Sequence, residues 1–174
     1  MGYTHYFYRT PELDKGKFKA AVADIRKVVA LLPTVNPQEA QMCYPNGDDT
    51  DVKLAGWDGE AGTEPEIVDD LVSFNGVGDD SHESFVIAQT FEAPDYCPDP
   101  DENGLHFAFC KTARKPYDIA VTASLAVLKH HLGDAIRVSS DGDFDEWADG
   151  LALANKATSL DLSALMQTEL ERDE

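Results

Sequence analysis

Apolar residues recur along this chain with two periods, and the positions where the period changes mark its elements. From Tyr3 to Arg9 a β-rich run carries Tyr and Phe at alternating positions, which predicts a first strand. Thr10, Pro11 and Glu12 then supply an N-cap, a first-turn proline and an acid for the dipole of a helix. Phe18, Ala21, Val22, Ile25, Val28, Val29 and Leu32 follow at three- and four-residue steps, and Pro33 stops the run. Val52 to Trp57 resembles a short strand, while Leu71–Phe74 and Phe85–Phe91 are better ones, joined as a hairpin by the turn-rich stretch 75–83. Leu105 to Cys110 alternates, with Leu105, Phe107 and Phe109 on one face.

Pro116 opens a helix running to about Leu132 that is apolar on most sides and ends at Gly133, and Ile136–Ser139 reads as another strand. Asp141 or Asp143 caps a third helix through Phe144, Trp147, Leu151 and Ala154, and Leu160–Leu170 adds a short final one. This order predicts an α+β fold, an antiparallel or mixed sheet with helices packed mainly on one face. The expected organisation is a single domain over 1–174, with a polar acidic insert at about 36–66 and a short C-terminal helix at about 160–170.

Composition narrows the function classes. With 174 residues and 43% apolar side chains the chain is rich enough to bury a core, and it has no apolar run near the length of a membrane span. The start lacks a basic segment followed by an apolar one, so a soluble intracellular protein is expected. Cys43, Cys97 and Cys110 have no C-x-x-C spacing and are expected as reduced thiols, with no disulfide framework or thiolate zinc site. The net charge of -19 is unevenly spread, with seventeen acids against Lys53 alone between residues 45 and 103 and a mildly basic 104–138. Phosphate contacts to nucleic acid need clustered Lys and Arg, so direct nucleic-acid binding is disfavoured.

Four stretches resemble a family of uncharacterised small proteins encoded by bacteriophages. They are Met1-Gly2-Tyr3-Thr4-His5-Tyr6, then Phe74-Asn75-Gly76-Val77-Gly78-Asp79 with His82-Glu83, then Phe109-Cys110-Lys111-Thr112-Ala113-Arg114-Lys115-Pro116-Tyr117-Asp118, and Ser139-Ser140-Asp141-Gly142. The resemblance implies a viral accessory protein acting in the cytoplasm of an infected bacterial host, where small non-enzymatic inhibitors of host defence are common. It carries no catalytic residues.

The most suggestive chemistry is the basic loop between a strand and a helix start, where Lys111, Arg114 and Lys115 suit phosphate and Tyr117 can stack on a base. Pro116 removes a donor there and Asp118 adds a negative charge to the first turn. In the 75–83 loop, Asn75, Gly76, Gly78, Asp79 and His82 are candidate ligand contacts, and Asp79, His82 and Glu83 could serve as metal ligands or a general base in no recognised spacing. Asp99, Asp101, Asn103 and Gly104 match the opening of a calcium loop, but its twelfth position is Cys110 in place of glutamate. His130 and His131 read as residues favoured by a helix C-terminus, and no hydrolytic triad is arguable from Ser81, Ser139, Cys110 and these histidines.

The expected function is therefore phage anti-defence: binding and sequestering a small phosphorylated or nucleotide ligand, a host immune second messenger being one such molecule, without a cofactor or metal. Two alternatives stand beside this sponge. One is an acidic inhibitor or nucleic-acid mimic that docks on a host defence protein. The other is a nucleotide-processing enzyme. Self-association is left open, and no membrane partner is expected.

Overall fold

The computed structural model describes residues 2–35, 50–95 and 97–173. The chain is α+β and every described strand pair is antiparallel. Strand β1 (Thr4–Arg9) is central in a three-stranded sheet between β8 (His106–Lys111) and β9 (Ile136–Ser140). Its register sets Tyr6 opposite Phe109 and Ser139, and His5 opposite Cys110 and Ser140. Because side chains alternate across a strand, His5, Phe7 and Arg9 turn inward while Tyr6 and Tyr8 turn outward beside Phe107 and Phe109. Phe107 and Phe109 do share a face, but it is the outer one, and Phe109 is exposed.

The second sheet is built on β6 (Leu71–Gly76), paired with β4 (Leu54–Ala55), β5 (Glu66–Val68) and β7 (Phe85–Ala88). The β6–β7 hairpin sets Val72 against Ile87 and Phe74 against Phe85, all buried. The expected strand over Val52–Trp57 is only β4 there, preceded by β3 (Thr50–Asp51) pairing β2 (Thr34–Val35). Of the acidic insert, residues 36–49 lie outside the described residues.

Helix α1 spans Lys15–Val29 and buries Phe18, Ala21, Val22, Ile25 and Val28, the face its periodicity marks. It starts later than expected. Asp14 is the N-cap, accepting from Lys17 N at 2.8 Å, whereas residues 10–13 are held extended against 89–91. Helix α2 (Asp118–Leu132) is buried on most sides, and Gly133 ends it with φ at 56°. Helix α3 (Ala148–Thr158) follows a single 3-10 turn, where Asp143 and Glu146 cap each other's backbone N–H groups at 3.0 and 3.2 Å. Asp141 instead accepts from Thr4 N and Tyr6 Oη at the end of β1. Helix α4 (Ser163–Leu170) closes the chain.

Phe7, Cys110 and Val138 from the first sheet join the helices' buried side chains in one core with Phe74 and Phe85. Buried charged side chains fasten the elements. Arg9 donates to Ala88 O, Gln89 O and Pro11 O, and its burial lowers its pKa to about 10. Lys129 on α2 pairs with Glu169 on α4 at 3.1 Å and donates to Ile136 O at 2.9 Å. No described helix is long and apolar enough to cross a membrane.

Candidate functional site

The turn after β8 is built against the start of β1. Thr112 N and Ala113 N both donate to Tyr3 O, at 3.0 and 3.1 Å, and Lys115 N closes back on Thr112 O at 3.0 Å. The two residues enclosed, Ala113 and Arg114, have φ of 51° and 57°. That left-handed conformation costs a non-glycine residue about 1–2 kcal/mol and persists only where the surroundings enforce it. Here the Arg114 guanidinium lies 3.8 Å above the Tyr3 ring, and its Nη2 pairs with Glu146 Oε1. The turn thereby aims Arg114 at a cleft of about 660 Å³ between the 114–119 segment, residues 31–35 and α3.

The cleft is of mixed character. Arg114, Lys115 and Lys156 line it with positive charge, Asp118, Asp145, Glu146 and Asp149 with negative, and Leu31, Val35, Ile119 and Leu153 supply apolar wall. Its size lies in the range of small-molecule sites.

At its base is a hydrogen-bonded chain that the sequence reading missed. His5 has no exposed surface; its Nε2 is 2.8 Å from Asp118 Oδ1 and its Nδ1 is 2.9 Å from Ser140 Oγ. A carboxylate accepts only, so with the ring neutral Nε2 donates to Asp118 and Nδ1 accepts from the Ser140 hydroxyl, which itself accepts from Gly142 N at 3.0 Å. Thr112 Oγ1 also donates to Asp118 Oδ1. Tyr3 and Trp147 meet the imidazole edge-on at 5.0 and 5.2 Å. Tyr3 Oη and Trp147 Nε1 are buried with no hydrogen-bond partner among the described residues. Burial, then the charges of Asp118 and Glu146, raises the Tyr3 pKa and keeps its hydroxyl protonated.

Ser140, His5 and Asp118 have the composition of a hydrolytic triad. The geometry opposes one, because a triad opens its nucleophile to the substrate, whereas the member that lines this cleft is the carboxylate of Asp118, and Ser140 is not part of the lining.

No family model, curated protein or solved structure matches this chain. The site therefore rests on its own geometry, and that geometry draws the separate stretches together. Tyr3 and His5, Asn75 and Gly76, Thr112 to Asp118, and Ser140 and Gly142 all pack into this one corner.

The nine residues expected at the site are divided by the structure. Arg114 and Lys115 line the cleft, and Lys115 Nζ donates to Asp79 O at 2.8 Å, so the basic turn and the 75–83 loop do adjoin. Lys111 lies over Gly2, while its backbone N–H donates to Glu83 Oε2 at 2.9 Å. Tyr117 offers no stacking face: its ring is fully buried and its hydroxyl donates to Glu83 O at 2.6 Å. Asn75 is also buried and spent on its own loop, donating to His82 O at 3.0 Å and accepting from Gly76 N and His82 N. Gly76 is where Asp80 O and the Tyr117 ring leave no room for a side chain. Gly78, at φ 57°, donates its N–H to Gly59 O, and Asp79 and His82 are exposed at the loop surface. Among the described residues no group of three His, Cys, Asp or Glu could hold a metal ion. Cys110 is buried, and that burial raises its pKa, leaving an inert thiol.

The missed residues had one legible signal. Alternation along β1 puts His5 on the same inward face as Phe7, and a buried imidazole must find partners. That these are Asp118 and Ser140, 113 and 135 residues away, is a property of the fold.

Proposed function

We propose that the protein is a phage accessory protein that binds a small phosphorylated or nucleotide ligand in the cleft beside Arg114 and sequesters it in the cytoplasm of an infected bacterium. A signalling nucleotide of host immunity is a ligand of this chemistry, and holding it intact is how such a protein would silence a defence.

The strained turn at Ala113 and Arg114 carries the reading. It costs stability, and it presents Arg114, stacked on the buried Tyr3 ring, beside Lys115 and Lys156 on a cleft of ligand size. A guanidinium has five donors, and Glu146 engages one nitrogen, so a phosphate can be added without dismantling the pair. The carboxylates in the same cleft favour a ligand that also brings hydrogen-bond donors over a bare polyanion.

The test is calorimetry with a panel of linear and cyclic nucleotides on the wild type and an Arg114→Ala, Lys115→Ala double variant. Binding by the wild type should weaken by about 1.5–3 kcal/mol for each charge-assisted contact removed. Bound nucleotide released by heat should be chemically unchanged. Absence of binding to any panel member would reject the reading, and turnover of the ligand would replace sequestration by catalysis.

A further inference from the structure

Asp118 is the one member of the buried chain that reaches the cleft, and its side chain is 20% exposed there. Oδ1 is saturated by His5 Nε2 and Thr112 Oγ1, which fixes the carboxylate plane and leaves Oδ2 as its remaining acceptor. The support behind it is rigid. His5 is enclosed between Tyr3 and Trp147, its far nitrogen is tied to Ser140, and Ser140 is held in turn by Gly142 N. The other acids of the cleft, Asp145, Glu146 and Asp149, are exposed, and both oxygens of Glu146 are engaged, Oε1 by Arg114 and Oε2 by Asp143 N.

A carboxylate oriented by two donors is a fixed acceptor. It repels phosphate and attracts an O–H or N–H. Arg114 and Asp118 stand four residues apart on one wall, so the cleft recognises both an anionic and a donor group on one molecule. Phosphate next to sugar hydroxyls has that pairing, and a site built to accept from a hydroxyl discriminates strongly against the analogue lacking it.

We propose that Asp118 is the specificity residue of the cleft: its Oδ2 accepts a hydrogen bond from a ribose hydroxyl, so the ligand is a ribonucleotide and its deoxy counterpart is rejected. His5 and Thr112 are positioning residues in this arrangement. The proposal rests on the reading of the cleft as a nucleotide site and adds the sugar to it.

The experiment compares affinities for adenosine, guanosine, cytidine and uridine nucleotides, as 5′-monophosphates and as cyclic forms, with their 2′-deoxy and 3′-deoxy counterparts. For the nucleotide that binds, loss of one hydroxyl should weaken binding about ten- to a hundredfold in the wild type. Asp118→Asn, which puts an amide in place of the acceptor, should bring the ratio close to one, and His5→Gln should reduce it part-way. Arg114→Ala should weaken ribo and deoxy forms alike and leave the ratio unmoved. A purely structural clasp would change stability without changing that ratio, so thermal unfolding is followed in parallel. Should Asp118→Asn fail to fold, the wild-type ratio still decides. Equal binding of ribo and both deoxy forms would overturn the role of Asp118 while leaving the nucleotide site standing; no nucleotide binding at all would overturn both.

Discussion

The corner around Tyr3, Arg114 and Asp118 and the acidic segments 58–70 and 92–102 are both rich in charge, yet they treat it in opposite ways. In the corner, charged and polar groups are interlocked over long sequence distances: His5 with Asp118, Arg114 with Glu146, Lys115 with Asp79 O, Glu83 with Lys111 N. In the acidic segments, Asp58 accepts from Glu60 N and Thr63 Oγ1 nearby, and Glu64, Glu66, Glu92, Asp95, Asp99 and Glu102 are exposed. Asp69, exposed beside Lys19 and Arg26, forms surface ion pairs of the kind worth little, whereas Asp101 is half-buried and meets Arg137 at 3.5 Å. Number of charges is therefore a poor guide to function here. What separates the two regions is burial of polar groups, which costs free energy unless every partner is in place.

The largest expected effect lies under the corner. In Gly76→Ala the new methyl would collide with Asp80 O and the Tyr117 ring, and one of these is backbone. Destabilisation of about 3 kcal/mol is expected, from overpacking. Gly78→Ala meets nothing within 4 Å and carries only the left-handed penalty of its φ of 57°, about 1 kcal/mol. Chemical denaturation of both variants checks the order, and equal losses would mean that the 75–83 loop yields as freely as a surface turn.

Tyr117→Phe comes next. It removes the donor to Glu83 O without opening a cavity, and Cys110 Sγ still approaches that carbonyl at 3.4 Å, so about 1 kcal/mol is expected. The same group sets a pH limit. Burial raises the pKa of Tyr117, Tyr3 and Cys110 in the folded state above their ordinary values of 10.0, 10.0 and 9.0. A raised folded pKa gives a contribution that is complete below the unfolded value and is lost as pH rises past it. Stability should hold through neutral pH and decline from about pH 9 upward, with a shallower decline in Tyr117→Phe. A flat profile to pH 11 would show that these groups ionise without unfolding the chain.

Most of the fold was legible because hydrophobic period reports burial directly: α1 and α2 and the β6–β7 hairpin follow from it. Thr10-Pro11-Glu12 has a valid capping pattern, yet α1 starts at Lys15 because Arg9 and the 89–91 segment compete for the same backbone. The site was half legible. Arg114 and Lys115 stand out as charge in a loop, and they do line the cleft. Asn75 and Tyr117 carry the same polar groups a binding site would use, and only burial shows that these groups are consumed by the protein itself. Along the sequence Asp118 is a charge that opposes phosphate; without its distant partner His5 a sequence has no way to reveal it as an oriented acceptor.

The smallest expected effect tests the acidic segments as solvated surface. Replacing Glu64, Glu66, Glu92, Asp95, Asp99 and Glu102 together by Gln or Asn should leave stability at pH 7 within about 0.5 kcal/mol, because exposed substitutions away from caps and networks seldom do more. Solubility should fall as net charge is reduced. Asp69 and Asp101 serve as the contrast within the same segments. Hydrogen bonding lowers both below the ordinary 3.8, from the Lys19 side chain for Asp69 and from Leu105 N for Asp101. A lowered folded pKa contributes stability above the unfolded value that is lost as pH falls through the folded one, so Asp69→Asn and Asp101→Asn should flatten acid unfolding below about pH 4. The same six-site variant, used to capture proteins from a lysate of infected bacteria, separates surface from interface. If one specific basic host protein is captured by the wild type and lost by the variant, with association rates that drop steeply between low and physiological salt, the acids are a docking surface and the inhibitor reading displaces the small-ligand one. Equal capture profiles place the working chemistry of the molecule in the corner and leave the acids as its solvating coat.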